Sequence, residues 1–196
     1  MIPARSAECT PKQLDLSGHY NASLLDSWHT WSYPYANLAG LPSGLQEFNG
    51  VSFDVRGVVQ LTGKELDGAS FLEFPTEVSG IEVKQKANRI HVLHAVGWQD
   101  EEGTEVGALV WHYSDGSTAK TPIIYGQHVI NWGTPAGTPC PPKSSVAWTG
   151  RNGLNTPVSI YQTTWDSPHP EKELSSLTFR SANQDSCPFL VALTVE

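Results

Sequence analysis

The sequence is short of charge, of cysteine and of long apolar runs. Of its 196 residues only 16% are charged, and 12 Lys and Arg stand against 20 Asp and Glu, for a formal net charge of −8. The basic residues are scattered, so the long-range field repels phosphate backbones and anionic bilayers, and no nucleic acid partner is expected. No stretch approaches the ~20 apolar residues that span a bilayer, so no membrane insertion is expected either. The opening MIPARSAEC has no apolar centre of the kind a signal peptide carries. Cys9, Cys140 and Cys187 show no CxxC spacing, which argues against a zinc ribbon or a redox dithiol. One disulfide or three free thiols both remain open.

What is present describes a turn-rich globular chain. It has 39% hydrophobic residues, 17 Gly, 14 Pro and 7 Trp, and a length suited to one domain. Residues 1 to 12 read as a flexible, polar lead, and 13 to 196 as a single domain. The strongest local signal is Val106 to Ile124, two β-prone runs joined across Ser114-Asp115-Gly116-Ser117. Asp-Gly tolerates the positive φ that a tight hairpin demands, and this hairpin is expected at the centre of the fold. A second turn is expected at Asn49-Gly50, ahead of the alternating Val51, Phe53 and Val55. Further strands are expected at Leu14 to Leu16, Phe71 to Phe74, Val78 to Val83, Arg89 to Trp98, Gly126 to Trp132 and Val158 to Trp165. The closing PFLVALTV is almost purely apolar and reads as a central strand. No convincing helical period occurs. The expectation is an all-β, two-sheet antiparallel β-sandwich.

Chemistry is harder to find. No nucleophile elbow, zincin, P-loop or dinucleotide fingerprint occurs. A glycosidase needs two carboxylates held roughly 5 to 9 Å apart, and Asp54, Glu73, Asp100 and Asp166 are the candidates. Asp54 and Arg56 share a strand face and read as a structural pair. Asp100, Glu101, Glu102 and Glu105 form an acidic turn where calcium is conceivable, although the EF-hand spacing is absent. No other cofactor is expected. His91 and His94, three apart on a strand, point to opposite faces and do not form a metal pair. Asn21-Ala22-Ser23 matches the N-glycosylation acceptor pattern. Trp28, Trp31, Tyr33 and Tyr35 lie in a Pro-broken loop, either as an exposed stacking surface or as a flap over the end of the sandwich. Acidic charge and abundant aromatics favour a neutral glycan among ligands, because flat rings stack on sugars.

The succession LDLSGHYN, GLQEFNGVSFDVRG, GIEVKQKANRIHVLHAVGW, VGALVWHYSDGS, INW, AWTGRN, SPHPEKELSSLTFRSAN and a final apolar strand resembles bacterial β-sandwich modules. These are the galactose-binding-domain-like, or jelly-roll, carbohydrate-binding modules, and the resemblance spans residues 13 to 195. It implies a non-catalytic, monomeric accessory module that is extracellular or periplasmic and binds a neutral or uronic polysaccharide. The matching positions implied for the ligand are Trp132 and Trp148 as stacking rings, with Arg151 and Asn152 as hydrogen-bonding partners. A jelly-roll polysaccharide lyase or hydrolase, and a protein-interaction module, are the alternatives.

Overall fold

A computed structural model describes residues 1–29, 35–70, 72–135 and 137–196. In chain order its strands are β1 (Ala22–Ser23), β2 (Gly44–Phe48), β3 (Val51–Val55), β4 (Gly57–Gln60), β5 (Glu77–Lys86), β6 (Arg89–Gly97) and β7 (Glu105–Tyr113). Then follow β8 (Thr118–Ile124), β9 (Ser144–Arg151), β10 (Pro157–Asp166), β11 (Glu173–Ser181) and β12 (Cys187–Val195). One short helix, α1 (Lys64–Ala69), lies between β4 and β5. A six-stranded sheet runs β1-β4-β12-β6-β10-β9, a four-stranded sheet β5-β11-β7-β8, and β2-β3 forms a separate hairpin. The strands pair antiparallel throughout. The protein is an all-β antiparallel sandwich.

Both expected hairpins form, the first with positive φ at both turn residues and the second at its glycine alone. Asn49 (φ 50°) and Gly50 (φ 78°) both adopt positive φ between Phe48 and Val51, the two-residue turn whose twist matches its strands. At the other hairpin Gly116 has φ 84°, and the Asp115 carboxylate accepts hydrogen bonds from the Ser117 backbone N–H (2.8 Å) and hydroxyl (2.6 Å). Its place is less central than the sequence suggests. β7 is interior, but β8 is an edge strand of the smaller sheet, and Pro122 sits there because an edge strand has no need of every N–H.

The closing strand holds the middle of the larger sheet. All nine residues of β12 are buried between β4 and β6, so both faces and both edges are covered. Each large apolar side chain there contributes about 1.5–3 kcal/mol relative to exposure. A register shift between Leu190 and Ala192 leaves Val191 as a bulge against β6, and the pairing of β12 with β4 ends at Leu190. Leu14 N–H donates to Leu193 O (3.0 Å) and Val195 N–H to Lys12 O (2.9 Å), so the end of the lead runs beside the last turns of β12.

That lead is held at several points. The Arg5 guanidinium reaches the Asp54 carboxylate (2.8 Å), and Arg56 donates through Nε to both Asp54 oxygens (2.9 Å) and through Nη2 to Asp15 (2.7 Å). Arg56 Nη1 donates to Pro3 O (3.3 Å), and the guanidinium stands 5.5 Å from the centre of the Tyr20 ring. The side chains of Asp54 and Arg56 are 1% and 2% exposed, so their mutual pairing is what makes their burial tolerable.

Several expected elements are absent. Leu14 and Leu16 are buried but form no strand; the chain makes an isolated bridge at Gln13 and then turns. Leu72 to Phe74 is irregular, and Phe71 lies outside the described residues. Gly126 to Trp132 contributes only bridges, Tyr125 with Val129 and Val96 with Asn131, because Gly126 at φ 76° turns the chain. The helix α1 was not expected; at six residues with Leu66 its only buried member, it carries too little periodicity to be seen. Asn21 is taken up by the sheet: its amide accepts from Gln60 N–H (2.8 Å) and donates to Gln60 O (2.8 Å), so a glycan on Nδ2 would break a strand contact.

An uncharged aromatic cavity as the candidate functional site

β6 ends at Gly97 against the beginning of β12, and what happens there shapes the site. A Cβ on Gly97 would lie 2.6 Å from His29 Cε1 and 2.8 Å from Cys187 Sγ, so only glycine lets the strand pass. The next residue, Trp98, has φ 60°, a left-handed conformation that costs a bulky residue about 1–2 kcal/mol. The consequence is positional. Trp98 turns back so that its indole, half-buried, lies 5.2 Å from the His29 ring.

Beneath it lies a packed aromatic cluster. Trp28 and Trp132 are 5.4 Å apart, His29 and Trp132 5.3 Å with perpendicular planes, and Phe189 of β12 stands 5.7 Å from Trp28 and 5.9 Å from Trp132. Above the cluster is a cavity of about 280 Å³. Its apolar walls include Trp98, Trp132, Leu154 and Val158, and its polar members are His29, Asn131, Asn152 and Thr156. No charged side chain is among its described lining residues.

The two asparagines present the same chemistry. Asn131 Oδ1 accepts from Gly133 N–H (2.9 Å), and Asn152 Oδ1 from the N–H groups of Leu154 and Thr156 (3.0 Å each). The oxygens are thereby engaged in local turns. Each NH₂ is left without a partner among the described residues. Gly153 in the same turn accepts the chain at Tyr35: its N–H donates to Tyr35 O (2.9 Å), and a Cβ would meet Tyr35 Cβ at 2.7 Å.

His29 is held from below. Gln60 Oε1 faces both Trp28 Nε1 (2.8 Å) and His29 Nε2 (2.9 Å), while Gln60 Nε2 donates to Leu61 O (2.6 Å) and Pro188 O (3.3 Å). Burial lowers the His29 pKa to about 4, against the raising effect of the Gln60 hydrogen bond. Cys187 Sγ lies 3.9 Å from His29 Nε2, a pairing that invites comparison with a Cys–His nucleophile. The comparison fails on charge: burial pushes the Cys187 thiol well up and the imidazole down, the reverse of what an activated thiolate needs.

The residues singled out from the sequence separate here. Trp132 and Asn152 line this cavity together, Trp132 as a floor residue only 6% exposed. Arg151, next to Asn152 on the hairpin, lines a different cavity of about 690 Å³ with Thr149 and Tyr161, and its Nη1 donates to Asn155 O (2.6 Å). Trp148 lines neither. Its indole lies over Gly150, whose Cβ would be 2.1 Å from the ring, and touches the backbone at Gly40. Of the aromatic loop, Trp28 is core at 1% exposure and Tyr35 is exposed, whereas Trp31 and Tyr33 lie outside the described residues. His29, Trp98 and Asn131 were not anticipated. Trp98 at a strand terminus beside glycine is a faint signal; His29 had none, since its partner is 31 residues away.

The hydrolase candidates are dispersed over different partners. Asp54 is in the buried ion cluster, Asp100 accepts from Ser186 N–H (2.9 Å), and Asp166 pairs with Arg89 (3.2 Å) at the surface. Glu73 lines a cavity of about 560 Å³ with Asp67, whose carboxylate is held by the Thr62 hydroxyl. Among the described residues no three His, Cys, Asp or Glu side chains gather as metal ligands, the acidic turn at 100–105 included. His91 and His94 do point apart: His91 meets Thr164 (2.8 Å) and Glu196 (3.1 Å), and His94 meets Thr163 (2.7 Å). All three cysteines are free.

Comparison with known proteins gives no family model, no curated protein and no solved structure that matches the chain. The resemblance to carbohydrate-binding modules therefore rests on the order of strands and turns alone.

Proposed function

We propose that the protein is a non-catalytic carbohydrate-binding module of jelly-roll, galactose-binding-like type, and that the aromatic cavity is where it takes a neutral glycan. One observation carries this reading: a half-buried indole, Trp98, overhangs a pocket with no charged side chain among its described lining residues, which also holds two amide NH₂ groups with no partner among the described residues. Sugar rings offer an apolar face to stack on an indole and oxygens to accept from amides, and both needs are met within one cavity. A uronic acid fits less well, because its carboxylate would find no cation here. Arg151 is turned to the neighbouring cavity. A glycan ligand places the protein at the cell exterior or in the periplasm.

The larger cavity beside Arg151 is not preferred, since the Arg151 guanidinium is exposed and engaged with Asn155 O, and the buried Tyr161 already bonds to Thr134 and Ser159. The test is affinity electrophoresis in gels cast with neutral polysaccharides, with the incubated polymer assayed for new reducing ends. Retardation without cleavage is expected, and Trp98→Ala should weaken it about tenfold while leaving the far-ultraviolet circular dichroism unchanged. New reducing ends, or an unaltered affinity in Trp98→Ala, would overturn the reading.

A further inference from the structure

One polar group lining the cavity, His29, has a fixed hydrogen-bonding polarity, and the fold rather than the solvent fixes it. Trp28 Nε1 can only donate, so the Gln60 atom it meets at 2.8 Å is the amide oxygen. The Gln60 nitrogen is fixed independently, because it faces two backbone carbonyls, Leu61 O and Pro188 O, which only accept. That oxygen also meets His29 Nε2 at 2.9 Å, and a carbonyl oxygen has no proton to give. His29 must therefore carry its proton on Nε2, which leaves Nδ1 as a bare lone pair. The ring is 4% exposed, lines the cavity, and has no described partner for Nδ1.

Resting on the glycan-binding reading, we infer that His29 Nδ1 is the specificity-determining acceptor of the site, and that the ligand is a single neutral sugar unit at the end of a chain, one of whose hydroxyls donates to it. The volume sets the size of the unit. At about 280 Å³ the cavity lies at the small end of the range for ligand pockets, which suits one ring and not a run of them. The polarity sets the chemistry. Asn131 and Asn152 offer donors and His29 an acceptor, so the bound unit must present oxygens at the rim and a hydroxyl hydrogen at the floor. A carboxylate or phosphate presents no such hydrogen. An imidazole free to change tautomer would accept either kind of group, and the Gln60 clamp removes that choice.

Two measurements on the intact protein decide the matter. The first is the ¹⁵N spectrum of the His29 ring at pH 7, with the methyl glycosides of glucose, galactose, mannose and xylose as probes. An Nε2–H ring whose Nδ1 resonance moves upfield on adding one glycoside is expected. The second compares that glycoside with its monodeoxy derivatives by tryptophan fluorescence titration. One derivative should bind about tenfold more weakly, since it leaves the acceptor unmet. A ring protonated on Nδ1 overturns the inference whatever binds. A glycoside that binds without moving Nδ1, or polysaccharide binding with no response to any single unit or chain end, overturns it and leaves the glycan-binding reading standing. Failure of every glycoside and polysaccharide to bind overturns the glycan-binding reading and this inference with it.

Discussion

Two polar clusters lie along β12, and they differ in one respect that separates structure from function. Beside Val191 to Thr194, the Arg5–Asp54–Arg56–Asp15 group is saturated: the buried carboxylate meets two guanidinium groups, and Arg56 meets two carboxylates and a backbone carbonyl. Beside Cys187 to Phe189, the polar groups above the aromatic cluster are left incomplete, with Nδ1 of His29 and the NH₂ of Asn131 and Asn152 unmatched among the described residues. Closed networks hold a chain in place. Open ones at the wall of a cavity are where a ligand completes the count.

Acid should break the comparison most visibly. His29 and His94 are buried neutral, with pKa values lowered by desolvation to about 4 and about 3, the latter also by His128. Below pH 6.5 the unfolded chain takes up protons that the folded chain refuses, so stability falls as pH drops from 6.5 towards 3. The combined loss is on the order of 8 kcal/mol. Asp15 behaves oppositely. Burial alone would raise its pKa, but hydrogen bonds from Ser17 and Arg56 and the charge of Arg5 bring it down to about 2, so its contribution is present above pH 3.8 and is lost only as pH falls through about 2. Urea melts read by tryptophan fluorescence from pH 7 to pH 3 should therefore show weakening well before Asp15 titrates.

Breaking the closed cluster comes next in size. Arg56→Met alone should cost about 3 kcal/mol because the buried Asp54 keeps only Arg5 of its two guanidinium partners, whereas Arg56→Met with Asp54→Leu should cost less than the single change. Chemical denaturation of the two variants checks this. Near-additive losses would mean that the pair is not what holds the lead and β3 together.

Crowding at the open end should have a smaller effect. Gly150→Ala places a methyl 2.1 Å from the Trp148 ring, and displacing that indole should cost about 1–3 kcal/mol and redden the emission. Smallest of all is the response of the thiols. With Cys187 fully buried and its thiol pushed up by that burial, the native protein should leave it unmodified by iodoacetamide at pH 8 while urea exposes it; rapid native labelling would return the Cys187–His29 pair to consideration.

Local rules made much of the fold legible. Asn49-Gly50 announced its hairpin because few residue pairs tolerate positive φ at both positions, Asp115-Gly116 because the glycine takes positive φ while the aspartate caps the turn, and the alternation at Val51 to Val55 marked a strand with two unlike faces. The candidate site was half legible. Trp132 and Asn152 proved neighbours, but Arg151 and Trp148 went elsewhere, since adjacent residues on a strand point to opposite faces and Trp148 found a glycine to lie on.

The sequence by itself determined the class of the fold, the turns that punctuate it and the apolar strand at its centre, because each depends on residues within a few positions of one another. Tertiary structure alone decided the rest. It brought His29 to Gln60 across 31 residues and Arg5 to Asp54 across 49, and it forced Trp98 into a left-handed turn over the ring it covers. The physical reason is that a hydrogen bond is satisfied by whatever lies within 3 Å, and in a sheet of crossed-over strands that neighbour is set by packing, not by distance along the chain.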